Sequence, residues 1–223
     1  FVVYGLVGVA ILFLYRRLPI PELHQHAAQP TPLGPSRTIV LRLAALFSVD
    51  AFAGGLVVNT LLALWLFERF QLSLAAAGHF FFWAGLLSAG SQLAAPWVAR
   101  RIGLINTMVF THIPSSLCLI GAAFAESLPL AMALLFMRSA LSQMDVPTRS
   151  AFVMAVVTPA ERAAAASYTA VPRSLAAAAS PAIGGARFSA GGLALPLVIC
   201  GGLKIVYDLA IWQAFRKAKT NIR

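Results

Sequence analysis

The sequence predicts an all-α, polytopic membrane protein of about six spanning helices, and three observations carry that expectation. Only 11% of the 223 residues are charged and 60% are hydrophobic, with a mean hydropathy of +0.82; a water-soluble domain carries roughly 25% charged residues. A chain this poor in Asp, Glu, Lys and Arg cannot cover a globule with polar groups, so much of its surface faces lipid. In lipid every backbone N–H and C=O is satisfied internally, which leaves helices or a closed barrel. The second observation decides between them: the apolar runs are long, rich in Ala and Leu, and lack the alternation of barrel strands. Third, the basic residues lie mostly between the runs. That is where cytoplasmic loops concentrate positive charge. A nucleic-acid binder would instead gather Lys and Arg with aromatics on one exposed face, so the net charge of +10 does not point to nucleic acid.

A spanning helix needs about 20 apolar residues. Phe1 to Leu14 is apolar but short, and ends at Tyr15-Arg16-Arg17, as the last part of a truncated span would. No Met opens the chain and no signal peptide precedes this run, so the sequence reads as a piece of something longer. Prolines 19, 21, 30, 32 and 35 make the following segment a loop. Apolar runs then cover Leu43–Phe67, Leu74–Ala99, Leu104–Ala125 and Leu128 to about Val146. A mixed stretch, Asp145 to Arg162, separates these from runs over Ala163–Ala186 and Leu193–Phe215. The expected organisation is therefore residues 1–14 as the end of a span, 15–42 as a cytoplasmic proline-rich interdomain loop, 43–215 as the helical bundle, and 216–223 as a basic cytoplasmic tail. Cys118 and Cys200 sit inside apolar runs and read as small packing residues.

Alternating the spans puts Arg16, Arg17, Arg37, Arg42, Arg100, Arg101, Arg149, Arg162 and the tail residues Arg216, Lys217, Lys219 and Arg223 on one side. Arg69 and Arg187 fall on the other, so twelve basic residues face two. That asymmetry places the proline-rich loop and the C-terminus in the cytoplasm of a multi-pass protein.

An ionisable group deep in the bilayer is costly, usually paired, and marks a pathway. Asp50 lies about 10–13 Å into its run and Arg138 about 15 Å into its own, at 1.5 Å per residue. Two readings stay open for them: a pair on a substrate or proton pathway, or a structural bridge between two helices. Arg173, after Pro172, is similarly deep, and Asn59 falls on roughly the face of Asp50. Lys204 and Asp208, four apart, share a face and read as a pair that neutralises itself on one helix. His79, Gln92 and His112 read as packing residues on apolar helices. His24 and His26 lie in the loop, and two ligands there make a poor metal site, so neither metal nor cofactor is expected.

Several stretches resemble the major facilitator superfamily, across essentially the whole chain as its second six-helix half. The first runs from Arg138 through Gln143, Asp145, Pro147 and Arg149 to Thr158-Pro159-Ala-Glu161-Arg162. It is similar to the family's passage from a cavity-lining helix, through a cytoplasmic Pro-x-Glu-Arg connection, into the next helix. Proline suits a first helical turn, and an acid there complements the helix dipole. The second, Ser180-Pro181-Ala-Ile-Gly184-Gly185 with Ala176 before it, resembles the Gly-Pro-x-x-Gly-Gly signature of drug antiporters, whose small residues let helices approach closely. In the third, only Arg101-x-Gly103 survives of the family's Asp-Arg-x-Gly-Arg-Arg loop.

The resemblance implies a secondary transporter of a small molecule, of permease or efflux type, proton-coupled through Asp50, working by alternating access in the plasma membrane. It implies Asp50, Asn59, Arg138, Asp145 and Arg173 on the substrate or proton pathway. Its partners would be the small-molecule substrate, the lipid bilayer and an N-terminal six-helix half of the same protein, with no nucleic acid. The excess of positive charge at Arg138 and Arg173 favours a substrate with an anionic group. The alternative class is a non-transporting membrane scaffold or assembly protein. An enzyme is not expected, because the chain has no Gly-x-Ser-x-Gly elbow, no His-Glu-x-x-His and no aspartate pair suited to acid–base work.

Overall fold

A computed structural model describes residues 2–17, 31–189, 192 and 194–216. Among the described residues the chain is helical, with no strand: α1 (Val2–Arg17), α2 (Arg37–Gly55), α3 (Asn59–Phe70), α4 (Leu74–Ile102), α5 (Leu104–Ala123), α6 (Leu128–Ser142), α7 (Asp145–Val156), a 3-10 turn at Pro159–Glu161, α8 (Arg162–Ser189) and α9 (Leu195–Phe215). Among the described residues, four passes are long and apolar enough to cross a membrane: Arg37–Phe70, Leu74–Ile102, Leu104–Ala123 and Leu195–Phe215. The α6–α7 and α8 passes complete the bundle but carry Arg138, Asp145, Arg149 and Arg173. The protein is an all-helical, multi-pass integral membrane protein.

Three boundaries differ from the sequence reading. The loop expected over 15–42 is shorter at both ends: α1 continues to Arg17 and α2 begins at Arg37. Residues 18–30, with His24, His26 and most of those prolines, lie outside the described residues, as do 217–223 of the expected tail. The run Leu43–Phe67 is two helices rather than one. Gly54 and Gly55 weaken the end of α2, where the Leu56 N–H is shared between the Phe52 and Ala53 carbonyls, and Val58 turns extended at φ −69°, ψ 160° before α3. Finally, the mixed stretch after Asp145 is helical to Val156. Pro147 falls in the first turn of α7, where its missing N–H costs no helical bond.

The core comes in two apolar parts. One packs Leu62, Trp65, Phe80, Leu119, Leu135 and Leu197; the other packs Leu43, Phe47, Met108, Phe152, Tyr207 and Ile211. Along α2, α5 and α9 the ionisable residues Asp50, His112 and Lys204 fall between the residues of the two parts, and Asp208 lies one turn beyond Lys204, among those of the second. The most extensive helix contact is α2 with α8. There the Ser180 hydroxyl donates to the Phe52 carbonyl, and Gly55 sits against Ser180 and Ala177. Gly184 lies on the Leu56 backbone.

Candidate functional site: a charged layer beside a cavity

The layer between the two cores is a continuous chain of contacts across four helices. Asp50 on α2, 3% exposed, accepts from Lys204 Nζ of α9 at 2.7 Å and from Arg149 Nη2 of α7 at 2.8 Å. Arg149 also bridges to Asp145, one turn back on its own helix, and lies over the Phe47 ring at 5.2 Å. On the other side, His112 Nδ1 of α5 lies 3.0 Å from both carboxylate oxygens of Asp208, which is fully buried. Its Nε2 is 3.3 Å from Lys204 Nζ and 3.9 Å from Asp50 Oδ1, and its ring meets Tyr207 edge-on at 6.2 Å. Charges this deep hold only because each has a partner; removing one partner of a buried pair costs about 3–5 kcal/mol.

The layer borders a cavity of about 220 Å³, whose wall includes Asp50, His112, Arg149, Lys204, Arg138 and Arg173. A second cavity of about 290 Å³ is lined by Asn59, Ser88, Ser139 and Phe80 among others, and shares Arg138, Ser142 and Gln143 with the first. Arg138 therefore stands on the wall common to both. Neither its guanidinium nor that of Arg173 has an ion-pair partner among the described residues, whereas Arg149 and Lys204 are both paired.

The structure pairs these residues differently from the sequence reading. Asp50 does not pair with Arg138: Lys204 and Arg149 occupy its two oxygens. Lys204 and Asp208 do not neutralise each other, since Lys204 reaches α2 and Asp208 reaches α5. His112 is no bystander in packing, and Arg149, counted among the loop cations, is buried. Asp145 joins the chain through Arg149, with the i, i+4 spacing as the signal that could have revealed it. Asn59 lies on the second cavity, away from Asp50.

The other expected residues divide between packing and connection. Pro181 lies inside α8; of the small residues around it, Ser180 and Gly184 make the close approach to α2, while Gly185 has room. Gly103, at φ 87°, turns α4 into α5 in a backbone conformation that favours glycine, and the Arg101 guanidinium stacks on Trp97 at 4.5 Å. Glu161 accepts from the Ser36 hydroxyl at 2.6 Å, the Thr158 hydroxyl at 2.7 Å and the Gly34 N–H at 2.5 Å. These hydrogen bonds, the Ser36 hydroxyl foremost, hold its carboxyl down to about 2. It thereby ties residues 34–36 to the connection between α7 and α8. Arg162, its neighbour, is exposed.

No family model and no curated protein matches the chain. Among solved structures it is similar to the human organic anion transporter MFSD10 (TETRAN), with a TM-score of 0.68 and 23% identity, over 82% of this chain and 43% of that one. The chain spans less than half the length of that protein. At this identity the likeness speaks to the fold alone: the chain shares the helical fold of part of that protein.

Proposed function

We propose that this chain is the C-terminal half of a secondary transporter that carries a small solute with an anionic group by alternating access. The observation that carries the reading is the unpartnered guanidinium of half-buried Arg138 on the wall of a cavity between the helices, with exposed Arg173 on the same wall. An unpaired cation at membrane depth is expensive, and a solute carboxylate, sulfonate or phosphate would supply the missing charge. Arg138 faces both cavities, so a solute there would have the hydroxyl and amide groups of Asn59, Ser88 and Gln143 on its other side. The fold likeness to the human organic anion transporter supports the same reading. In this proposal an N-terminal six-helix half completes the cavity, the protein lies in the plasma membrane, and its C-terminus is cytoplasmic, as the distribution of loop arginines suggests.

The test is flux of a panel of small organic anions, cations and neutral solutes into proteoliposomes holding the complete polypeptide. Anions should be moved selectively, and Arg138→Gln should lower the initial rate by at least about tenfold, as loss of a charge-assisted contact of about 1.5–3 kcal/mol would. Selective flux of cations, or anion flux that survives loss of both arginines, would overturn the anionic assignment. A polypeptide that moves nothing would favour the scaffold.

A further inference from the structure

A third cavity, of about 680 Å³, lies away from the charged layer, where α3 and α5 end and α9 begins. It shares no lining residue with the two cavities around Arg138 and is larger than both together. Its wall is apolar, from the buried Trp65 and Ala123 through the half-buried Val198 to Phe124 and Leu195, which are 65% and 44% exposed. Helix α5 has 20 residues, a length of about 30 Å at 1.5 Å per residue. That matches the hydrocarbon core of a bilayer, so a cavity at its end lies at the depth of lipid headgroups.

Two charged residues line this apolar wall: Arg69 in the last turn of α3 and Glu126 in the connection from α5 to α6. Both are exposed, and among the described residues neither has an ion-pair partner. The Arg69 guanidinium rests 6.0 Å from the Phe70 ring. Glu68 and Arg187 add one charge of each sign at the same end without lining the cavity, so the surroundings stay balanced. The opposite end of the bundle carries Arg37, Arg100, Arg101, Arg162 and Arg216 with Glu161. An anionic headgroup is drawn to that basic end, whereas the cavity offers one cation and one anion.

We propose that this cavity binds a zwitterionic phospholipid, with the headgroup phosphate on Arg69, the headgroup ammonium on Glu126, and the upper acyl chains along Phe124, Leu195 and Val198. A phosphate accepts readily from a guanidinium, and an ammonium donates to a carboxylate. An anionic lipid would satisfy Arg69 and leave Glu126 beside a phosphate of its own sign. A free zwitterionic solute would satisfy both charges but leave Phe124 and Leu195 uncovered; the apolar wall is what selects a lipid. Bound in this way, the lipid bridges α3 to the α5–α6 connection. The site is separate from the solute cavities, so it stands or falls independently of what the carrier moves.

The test uses the complete polypeptide in nanodiscs that mix phosphatidylethanolamine with phosphatidylglycerol, one or the other brominated on its acyl chains. Bromine quenches nearby tryptophan, and the Trp65 signal is the difference between the wild type and Trp65→Phe. Should Trp65→Phe not fold, phosphatidylethanolamine and phosphatidylglycerol with photoreactive upper acyl chains are compared instead, by the mass of labelled peptides holding Trp65 to Arg69 or Ala123 to Glu126. Phosphatidylethanolamine should reach half-maximal effect at a mole fraction about two- to fivefold lower than phosphatidylglycerol, the worth of one exposed ion pair. Glu126→Gln should erase that preference, and Arg69→Gln should raise the mole fraction needed of both lipids. Equal quenching of the wild type by the two lipids, or a preference that persists in Glu126→Gln, would overturn the proposal. Displacement of the lipid by water-soluble glycerophosphoethanolamine would also overturn it, by making the site one for a free solute.

Discussion

Gly184 and Gly185 are adjacent in one helix and identical in sequence, yet the structure sets opposite outcomes for the same substitution. A Cβ on Gly184 would come within 2.5 Å of the Leu56 carbonyl oxygen and 3.2 Å of the Leu56 Cα, both backbone atoms. Ordinary contact begins near 3.4 Å, so α2 would have to retreat by about 0.9 Å at its tightest crossing with α8. A Cβ on Gly185 meets nothing closer than Leu61 Cδ2 at 3.9 Å. Replacing glycine by alanine inside a helix favours the helix by roughly 0.5–1 kcal/mol in either position, so that gain cancels in the comparison. What remains is overpacking, typically about 1–3 kcal/mol. Gly184→Ala should therefore be less stable than Gly185→Ala by about that amount, measured as the free energy of unfolding in mixed micelles with increasing SDS. Trp65, 1% exposed within the core, provides the fluorescence signal. Two variants within about 0.5 kcal/mol of each other would refute the argument, because the α2–α8 crossing could not then be held at this distance by the missing Cβ.

Two further outcomes follow from the charges. Asp50→Ala leaves Lys204 and Arg149 buried without their shared carboxylate, at a cost of about 3–5 kcal/mol; the folded fraction by size-exclusion chromatography should fall sharply and recover in part in Asp50→Ala/Lys204→Met, and an unaffected single variant would show that Asp50 holds neither cation. Glu161 works with the opposite pH sense to a group raised on folding. Its carboxyl is held at about 2, below the ordinary 4.5, so the tether to Ser36 is complete above about pH 4.5 and is lost as the pH falls towards 2. Cleavage within residues 31–36 by an acid-active protease should accelerate across that window and become independent of pH in Glu161→Gln; a wild-type rate that is flat across it would remove the tether.

The fold class was legible because it depends on composition: a chain with 11% charge has few ways to satisfy its backbone in lipid. Depth was legible too. Counting along each run put Asp50 and Arg138 in the interior. What depth does not report is rotation about the helix axis, and that decided the partners. Arg138 on α6 and Arg149 on α7 stand eleven positions apart, and the chain turns between the helices at Gln143 and Met144. The second arginine, not the first, meets Asp50. Lys204 and Asp208 do share a face, as their spacing requires, but each found a nearer partner on a different helix. The break at residues 56–58 was hidden for another reason. Leu56, Val57 and Val58 continue the apolar run without interruption, and the break follows two glycines that weaken the helix end, beside a Ser180 hydroxyl that bonds the Phe52 carbonyl from 128 residues away in sequence.

The pairing of Asp50 also changes what a transport assay on that residue can mean. An acid that carries a coupling proton must lose and regain it during the cycle. Asp50 is bound by two permanent cations, and protonating it would leave both in a buried layer with one carboxylate fewer between them. Its geometry is that of a brace joining α2 to α7 and α9. Loss of gradient-driven flux in Asp50→Asn is then the expected result of a weakened bundle and does not by itself identify the coupling site. Asp208 differs in kind: its contact is the His112 imidazole, and neither Arg149 nor Lys204 pairs with it. The discriminating measurement is exchange of solute between equilibrated compartments, which needs the bundle to move but needs no net proton transfer. A brace variant should lose exchange and gradient-driven flux together.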